Sequence, residues 1–499
     1  MKRTRYAIRL LPALLPSLLA SCALTPPPAA VDAPAPAKWS APLPDDGASL
    51  PHHARLSDLS QWWQQQNDPL LVELIDAAQA VSPTVASAVS RIEQSRANSV
   101  AARAALGPKL DLNASVSRTN MQQPLPLGTT SQIELQPSWE ADVFGGNRAT
   151  SAAARARLQG AQANWHDARV SVAAEVANRY YDLRTCDRLV LVAQADADSR
   201  AETARLSGLS ANAGFEAPAN AALARASAAE GNSRVTQQRA TCDLDIKALV
   251  ALTAIDEATL RRKMADAETR PSSVLPIAVD TLPAQTLSQR PDVFIAEREV
   301  AAASAEVGNA QAQRYPRLTL AGSIGVGNFH SQGVSTTLDT WSIGPIALSL
   351  PIFDGGVRVA NVDAAEARYR EAVANYRSTV RQAVREVEEA LVKLQSANAR
   401  SDDARTAVAG YDLSFKGTEA RYKNGMASLL DLEDTRRQRL AAELNAVSLE
   451  GERMAAWIAL YRAAGGGWRA PDSNDPASNT ASISDNNSNP SRINNETPE

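Results

Sequence analysis

Few side chains in this sequence could carry chemistry. Histidine occurs four times, at His52, His53, His166 and His330, and no spacing among them suits a metal-ligand set. Gly322-Ser323-Ile324-Gly325 lacks the Gly-x-Ser-x-Gly spacing of a nucleophile elbow. Gly325-Val326-Gly327 lacks the third glycine of a dinucleotide loop. Carboxylates are plentiful in the helical stretches, too common there to argue a site from. These residues point away from an enzyme and call for no metal and no cofactor. The remaining chemistry is that of thiols, at Cys22, Cys186 and Cys242. Cys186 lies 28 residues before Gly214 and Cys242 lies 28 after it. An antiparallel helix pair turning at Gly214 would bring the two level, as a disulfide or as two buried thiols.

Cys22 belongs to a different element. Lys2, Arg3, Arg5 and Arg9 precede an apolar run from Leu10 to Ala20, the layout of an export signal over residues 1–21. Leu19-Ala20-Ser21-Cys22 follows at once and is similar to the lipobox of bacterial lipoproteins, in which the cysteine is lipidated. By analogy with such proteins, Ala23 in place of an aspartate directs the product to the outer membrane. Removing the signal leaves 47 basic against 55 acidic residues, a net charge near −8. That balance offers no electrostatic case for nucleic acid. No apolar run reaches the length of a transmembrane helix.

The elements that must position these residues are stated twice. Pro83 and Pro291 are 208 residues apart, as are Pro108 and Pro316, and Gly145-Gly146 recurs 210 residues later as Gly355-Gly356. A long-period repeat makes each half one structural unit. After Pro108, Leu110, Leu112, Ala114 and Val116 alternate with polar residues, and Ile133 to Val143 does the same after a Pro- and Gly-rich turn. The second copy alternates from Leu318 to Val326 and from Ile346 to Ile352. Trp341 and Ile343 fall out of phase across Gly344-Pro345, which reads as a bulge. Strands of about ten alternating residues are the signature of a membrane β-sheet. Four strands cannot close a barrel, and lipid tolerates no open edge, so several chains would have to share one. The plainer alternative is two small sheets on the side of a helical protein.

Long helical hairpins surround the strands. Arg148 to Leu209 keeps heptad-like apolar steps without proline, Gly214 reverses the chain, and Ala217 to Leu252 returns. Val362 to Leu394 leads to Asn424-Gly425, and Leu429 to Tyr461 comes back. The expected map is a Pro/Ala-rich tether over residues 22–54, a first repeat over 55–275 and a second over 276–470. In the first repeat the strands span about 110–143 and the helical hairpin about 148–252; in the second they span about 318–353 and 357–463. Residues 471–499 read as a disordered tail.

Together these features resemble one family, the TolC-like outer-membrane efflux channels in their lipoprotein (NodT) branch. The resemblance covers about residues 55 to 470. It rests on Cys22, on Trp63 with Asp68-Pro69-Leu70, and on Pro108 and Pro316 before the strands. It also rests on Trp139 to Gly145, Leu350 to Gly356, Arg421-Tyr422-Lys423-Asn424-Gly425 and Gly465-Gly466-Gly467-Trp468. The fold it implies is mostly α with membrane β, a homotrimer whose chains share a twelve-stranded barrel continued by a periplasmic α-barrel. The implied role is the exit duct of a tripartite efflux pump for drugs or other small toxic molecules. Its partners would be a periplasmic adaptor, meeting the hairpin tips at Gly214 and Gly425, and an inner-membrane transporter of the resistance-nodulation-division class. A duct for type I protein secretion shares the architecture and is the alternative.

The resemblance also implies a periplasmic gate on the last hairpin, at Tyr422, Leu430 and Asp434. Leu430 and Asp434 are four apart and share a helix face, so a trimer would present an apolar ring and a carboxylate ring. The corresponding first-copy positions are Ala211, Ala219 and Leu223, which carry no acid. Ala427 occupies the position of a further acid in some relatives, so a second ring is not expected. The alternative is that Asp431, Glu433 and Asp434 form a solvated face countered by Arg436 and Arg437.

Overall fold

A computed structural model describes residues 24–36, 38–41, 62–66, 68–120, 127–267 and 287–470. The signal segment, Cys22 and the tail at 471–499 lie outside the described residues. The chain begins with α1 (Trp62–Gln65), α2 (Pro69–Val81) and α3 (Pro83–Ala104), then the strands β1 (Lys109–Asn120) and β2 (Leu127–Ala141). The helices α4 (Gly146–Asn212), α5 (Pro218–Thr253) and α6 (Glu257–Ala267) complete the first half. The second half runs α7 (Pro291–Ala312), β3 (Arg317–Ser331), β4 (Val334–Ser349), α8 (Val357–Lys423) and α9 (Leu429–Ala463). Both α4 and α8 are 67 residues long, or about 100 Å at 1.5 Å per residue. Among the described residues no helix is long and apolar enough to cross a membrane.

The alternation in the sequence becomes one antiparallel sheet in the order β1-β2-β3-β4, leaving β1 and β4 as free edges. Register carries one apolar row across all four strands: Leu112 faces Leu135, Leu135 faces Ile324 and Ile324 faces Trp341. Leu112, Ile324 and Trp341 are exposed, so this face has no partner within the chain. The other face is polar. There the Asn113 amide donates to Gln136 at 2.7 Å, and the Gln136 amide donates to Glu134. Gly325 lies opposite Glu134, and a β-carbon on it would come within 2.3 Å of the Ile133 carbonyl. Only glycine lets the two halves pair there. The register shift between Leu320 and Gly322 stands opposite Gly344-Pro345, where the phase of the sequence breaks.

The main core forms halfway along the rods, where α2 packs against α4 and the other long helices pass. Trp62, Leu71, Tyr180, Leu391, Leu394 and Ile458 are sealed in it. Asp68 links the pieces: it accepts the Tyr180 hydroxyl at 2.6 Å and caps α2 through the Leu71 N–H at 3.3 Å. Trp62 stacks on Tyr461 at 5.0 Å, and burial pushes the Tyr461 phenol up to about 12.

The Pro/Ala-rich segment is seated along the groove between α7 and α8. Ser304 donates to the Pro27 carbonyl, Tyr369 to that of Pro28 at 2.8 Å, and Gln311 to that of Thr25 at 3.4 Å. Farther along, the Glu388 carboxylate accepts the N–H groups of Ser40 and Ala41, both at 2.7 Å, and Trp39 enters the main core. Proline removes backbone donors, so this strap is held by its carbonyls along the proline run and by N–H groups only beyond it.

Cys186 and Cys242 meet across α4 and α5, with Cα atoms 5.5 Å apart and sulfurs bridged. A bridge closing 56 residues restrains the unfolded chain by about 4 kcal/mol in the loop-entropy account. Acylated, non-reduced protein unfolded in denaturant should therefore show no thiol reactive to a maleimide probe. Two reactive groups would mean that the pair is reduced.

Candidate functional site

The free ends of the two long hairpins are built alike. In the first, Gly214 at φ +80° reverses the chain and the Phe215 N–H bonds the Ser210 carbonyl at 2.9 Å. In the second, Gly425 at φ +70° does the same, with the Met426 N–H on the Arg421 carbonyl at 2.8 Å. Both are six-residue helix-end closures that need a left-handed residue, hence glycine. The helices that leave the two turns start differently. Helix α5 opens on Pro218 without a side-chain cap, whereas α9 opens on a capping box. The Ser428 hydroxyl accepts the Asp431 N–H at 3.1 Å, and the Asp431 carboxylate accepts the Ser428 N–H at 3.0 Å. The Ser428 hydroxyl and backbone N–H hold the Asp431 carboxyl below the usual carboxylate range. Asp431 is therefore committed to the helix start.

Leu430 and Asp434 lie on one exposed side of α9, Leu430 with 71% of its surface free. Asp434 is ion-paired with Arg437 and accepts the Gln438 amide at 2.9 Å. Tyr422 points elsewhere: it packs against Phe415, Leu429, Leu432 and Ala224 of α5, and burial raises its phenol above the ordinary value. One chain thus brings Leu430 and Asp434 together and leaves Tyr422 apart from them. Phe215 and Met426 project from the two turns, Phe215 with 87% exposed.

Behind that exposed side lies a cluster that sequence reading missed. Glu433 faces the first hairpin, where Arg200 of α4 pairs with it at 2.8 Å and with Asp196 at 2.8 Å. Ser227 of α5 donates to Glu433 at 2.7 Å and accepts from Arg200 at 2.6 Å. Arg436 is fully buried and ion-paired with Glu433, and it donates to Thr203 at 2.7 Å and Ser199 at 3.2 Å on α4. Phe415 lies beneath the Arg436 and Arg439 guanidiniums at 5.5 and 4.3 Å. Burial lowers the affinity of Arg436 for its proton, and the Glu433 carboxylate opposes that shift. Read as a solvated counter-ion of the acidic face, Arg436 is misplaced; only Arg437 plays that part. The accessible signal was the run of small hydroxyl residues, Ser199, Thr203 and Ser227, on helices otherwise rich in alanine and charge.

The cluster ties the two hairpins together, about one to two helical turns from the start of α9 and about two to four turns from the tip of the first hairpin. A paired charge out of water adds little net stability, but removing one partner is costly because the other charge stays buried. The arrangement can therefore hold two rods in one relative position and has no evident catalytic use. Among the described residues no group of three His, Cys, Asp or Glu side chains is placed to hold a metal ion. Burial and the Arg169 charge depress His166 to about 4, so it is a neutral packing residue.

Comparison with known proteins agrees with this architecture. The sequence profile described as "Outer membrane efflux protein" matches residues 74–255 and 282–466, one segment in each half. Nodulation protein T of Rhizobium leguminosarum bv. viciae is 28% identical over 466 residues, covering 93% of this chain and 95% of that protein. The solvent efflux pump outer membrane protein SrpC of Pseudomonas putida is 28% identical over 408 residues, 80% of this chain and 86% of its own length. The solved outer-membrane channel OprN superposes with a TM-score of 0.76 at 26% identity, covering 88% of this chain and 99% of that one.

Proposed function

The chain belongs to the outer membrane efflux protein family, and from that membership we propose that it works as the outer-membrane exit duct of a tripartite pump, assembled as a homotrimer. The observation that carries this reading is a four-stranded sheet with one apolar face and two unpaired edges. Lipid admits no open edge, and the smallest membrane barrels have about eight strands. Three copies supply twelve strands, and their hairpins continue the barrel as a helical tunnel through the periplasm. The cargo is small toxic compounds, in keeping with a relative named for solvent efflux. A periplasmic adaptor meets the turns at Gly214 and Gly425, with an inner-membrane transporter of the resistance-nodulation-division class behind it. Leu430 and Asp434 narrow the entrance, and Tyr422 braces the turn from behind.

Reconstituted in planar bilayers, the purified protein should run as a heat-dissociable trimer and pass discrete ionic currents. A folded, acylated monomer that passes none would overturn the reading. A deletion strain should become more sensitive to drugs and solvents while its secreted-protein profile stays unchanged. A lost secreted protein with unchanged susceptibility would instead favour type I secretion.

Lipidation at Cys22 completes the placement. The strap seats Thr25 beside Gln311, five residues before Pro316 and the start of β3, at the barrel end of α7. Each buried methylene of an acyl chain contributes about 0.8 kcal/mol of membrane affinity. Cys22→Ser should abolish labelling by radioactive palmitate and lower the amount of trimer in the outer membrane. Wild-type protein that takes up no label would rule the anchor out.

A further inference from the structure

At the strand end of the rods the chain joins its own halves, and that joint specifies the one it makes with a second copy. At the inner joint β2 pairs with β3, Trp139 opposite Leu320 and Ala141 opposite Leu318. Below the strands, Ala153 and Ala156 of α4 pack on Ala302 of α7. Arg157 bridges Glu299 at 2.9 Å and Glu306 at 2.6 Å, and Phe144 stacks on Tyr315 at 4.8 Å. The two halves align along their elements. Helices α3 and α7 are both 22 residues long and 208 apart; β2 and β4 are 209 apart at Trp139/Leu348, as are Phe144 and Phe353 just beyond them; α4 and α8 are 211 apart at both ends.

Transferred by these offsets, the inner joint predicts an outer one, and the residues it predicts are exposed. On β4 and α8 they are Leu348, Phe353, Ala360, Ala364 and Ala367. On β1 and α3 they are Leu110, Leu112, Arg91, Gln94 and Asn98. We infer that β4 of one copy pairs with β1 of the next with Leu348 opposite Leu112 and Leu350 opposite Leu110, while α8 lies against α3 so that Glu371 meets Arg91. This deepens the trimeric-channel reading and rests on it.

The parity is right. Leu348 faces Leu318 within the chain, on the apolar side, and a slip of one residue would set it against Asp111 or Asn113 of the polar side. Sizes are exchanged in compensation. Gly160 of α4 lies against Ile295 and Arg298, where an added β-carbon would come within 4.0 and 3.9 Å. The α8 counterpart is the large Glu371, and the α3 counterparts are the small Ser87 and Ser90. Charge is exchanged too, since Arg91 stands where α7 has Glu299. Arg368, the counterpart of Arg157, reaches Glu306 of its own α7 at 4.0 Å, which leaves Arg91 to Glu371. Phe353 has no ring to stack on, because Gly107 replaces Tyr315, and it closes over the Leu106-Gly107 bend.

Thiol cross-linking reads the register directly, because Cys186 and Cys242 are bridged and Cys22, the proposed acylation site, is common to every variant. Leu348→Cys with Leu112→Cys, oxidised in outer membranes, should give covalent multimers on non-reducing gels. The slipped pair Leu348→Cys with Ala114→Cys should give at least tenfold less. A slipped pair that cross-links better, in channels that still conduct, overturns the register and leaves the channel reading intact; absence of both multimers and current overturns that reading instead. Arg91→Glu should lower the temperature at which trimers dissociate, and Glu371→Arg in the same chain should restore it. Failure of the reversed pair to rescue would exclude the Arg91–Glu371 contact.

Discussion

Glu433→Ala should loosen the periplasmic end of the channel and render cells permeable to large antibiotics. Glu433 is the acid that Arg200 and Arg436 share, and Arg436 has no exposed surface. Stripping one member from a buried ionic group costs about 3–5 kcal/mol because the remaining charges have no water. Separating the hairpins relieves that cost by letting solvent reach Arg436, and the same separation widens the entrance. Glu433→Gln keeps an acceptor for Ser227 and should fall between wild type and alanine. Glu202→Ala, which breaks the exposed pair with Arg205, should leave both stability and conductance near wild type. Vancomycin susceptibility and single-channel conductance are the readouts. A folded Glu433→Ala trimer with wild-type values in both would show that the cluster does not hold the hairpins in place.

Leu430→Ala with Asp434→Ala should raise single-channel conductance severalfold and weaken any preference for cations. On the proposed gate reading, a trimer would present the two side chains as an apolar ring and a carboxylate ring one helical turn apart, the two devices by which pores restrict and select. Both are solvent-facing in the single chain, so their loss should cost no more than about 0.5 kcal/mol of stability. A conductance change here without a stability change is the reverse of what removing a packing residue would do. Unchanged conductance would take the gate away from this face of α9.

The strands could be read from the sequence because each side chain's face follows from its parity, and one face had to be apolar throughout. Leu110 to Val116 and Ile133 to Val143 obey that rule, and the break at Gly344-Pro345 marks the register shift. The turn glycines were equally legible, since only glycine takes the left-handed closure without strain. Arg436 was not. Glu433 and Arg436 are three apart on a charged helix, a spacing shared by solvated pairs such as Glu202 and Arg205. What distinguishes them is Ser199, Thr203, Arg200 and Ser227, more than 200 residues away in sequence and brought close by packing of one hairpin on the other. Tyr422 is grouped with Leu430 and Asp434 by the family resemblance, and in the single chain it packs on the inward side, against Phe415 and Leu429. The strap was illegible for another reason. Its polar contacts run mostly through backbone carbonyls and N–H groups, so no side-chain period records where it docks.

Those contacts have a consequence for assembly. Pro26 nestles on Gly308, where a β-carbon would approach within 3.6 Å, and the matching site on α3 is Val100. The branched Val100 side chain is larger than a single β-carbon, so the α3 site is less open to a docked proline than the Gly308 site. From Thr25, three residues of fully extended chain give Cys22 a reach of about 10 Å, so there is no slack with which a fatty acid could sit in one bilayer while the barrel waits in another. Once the strap is docked, an acyl group on Cys22 would therefore lie in the membrane that holds the barrel, and a folded pore could not stand in one membrane with its anchor in another.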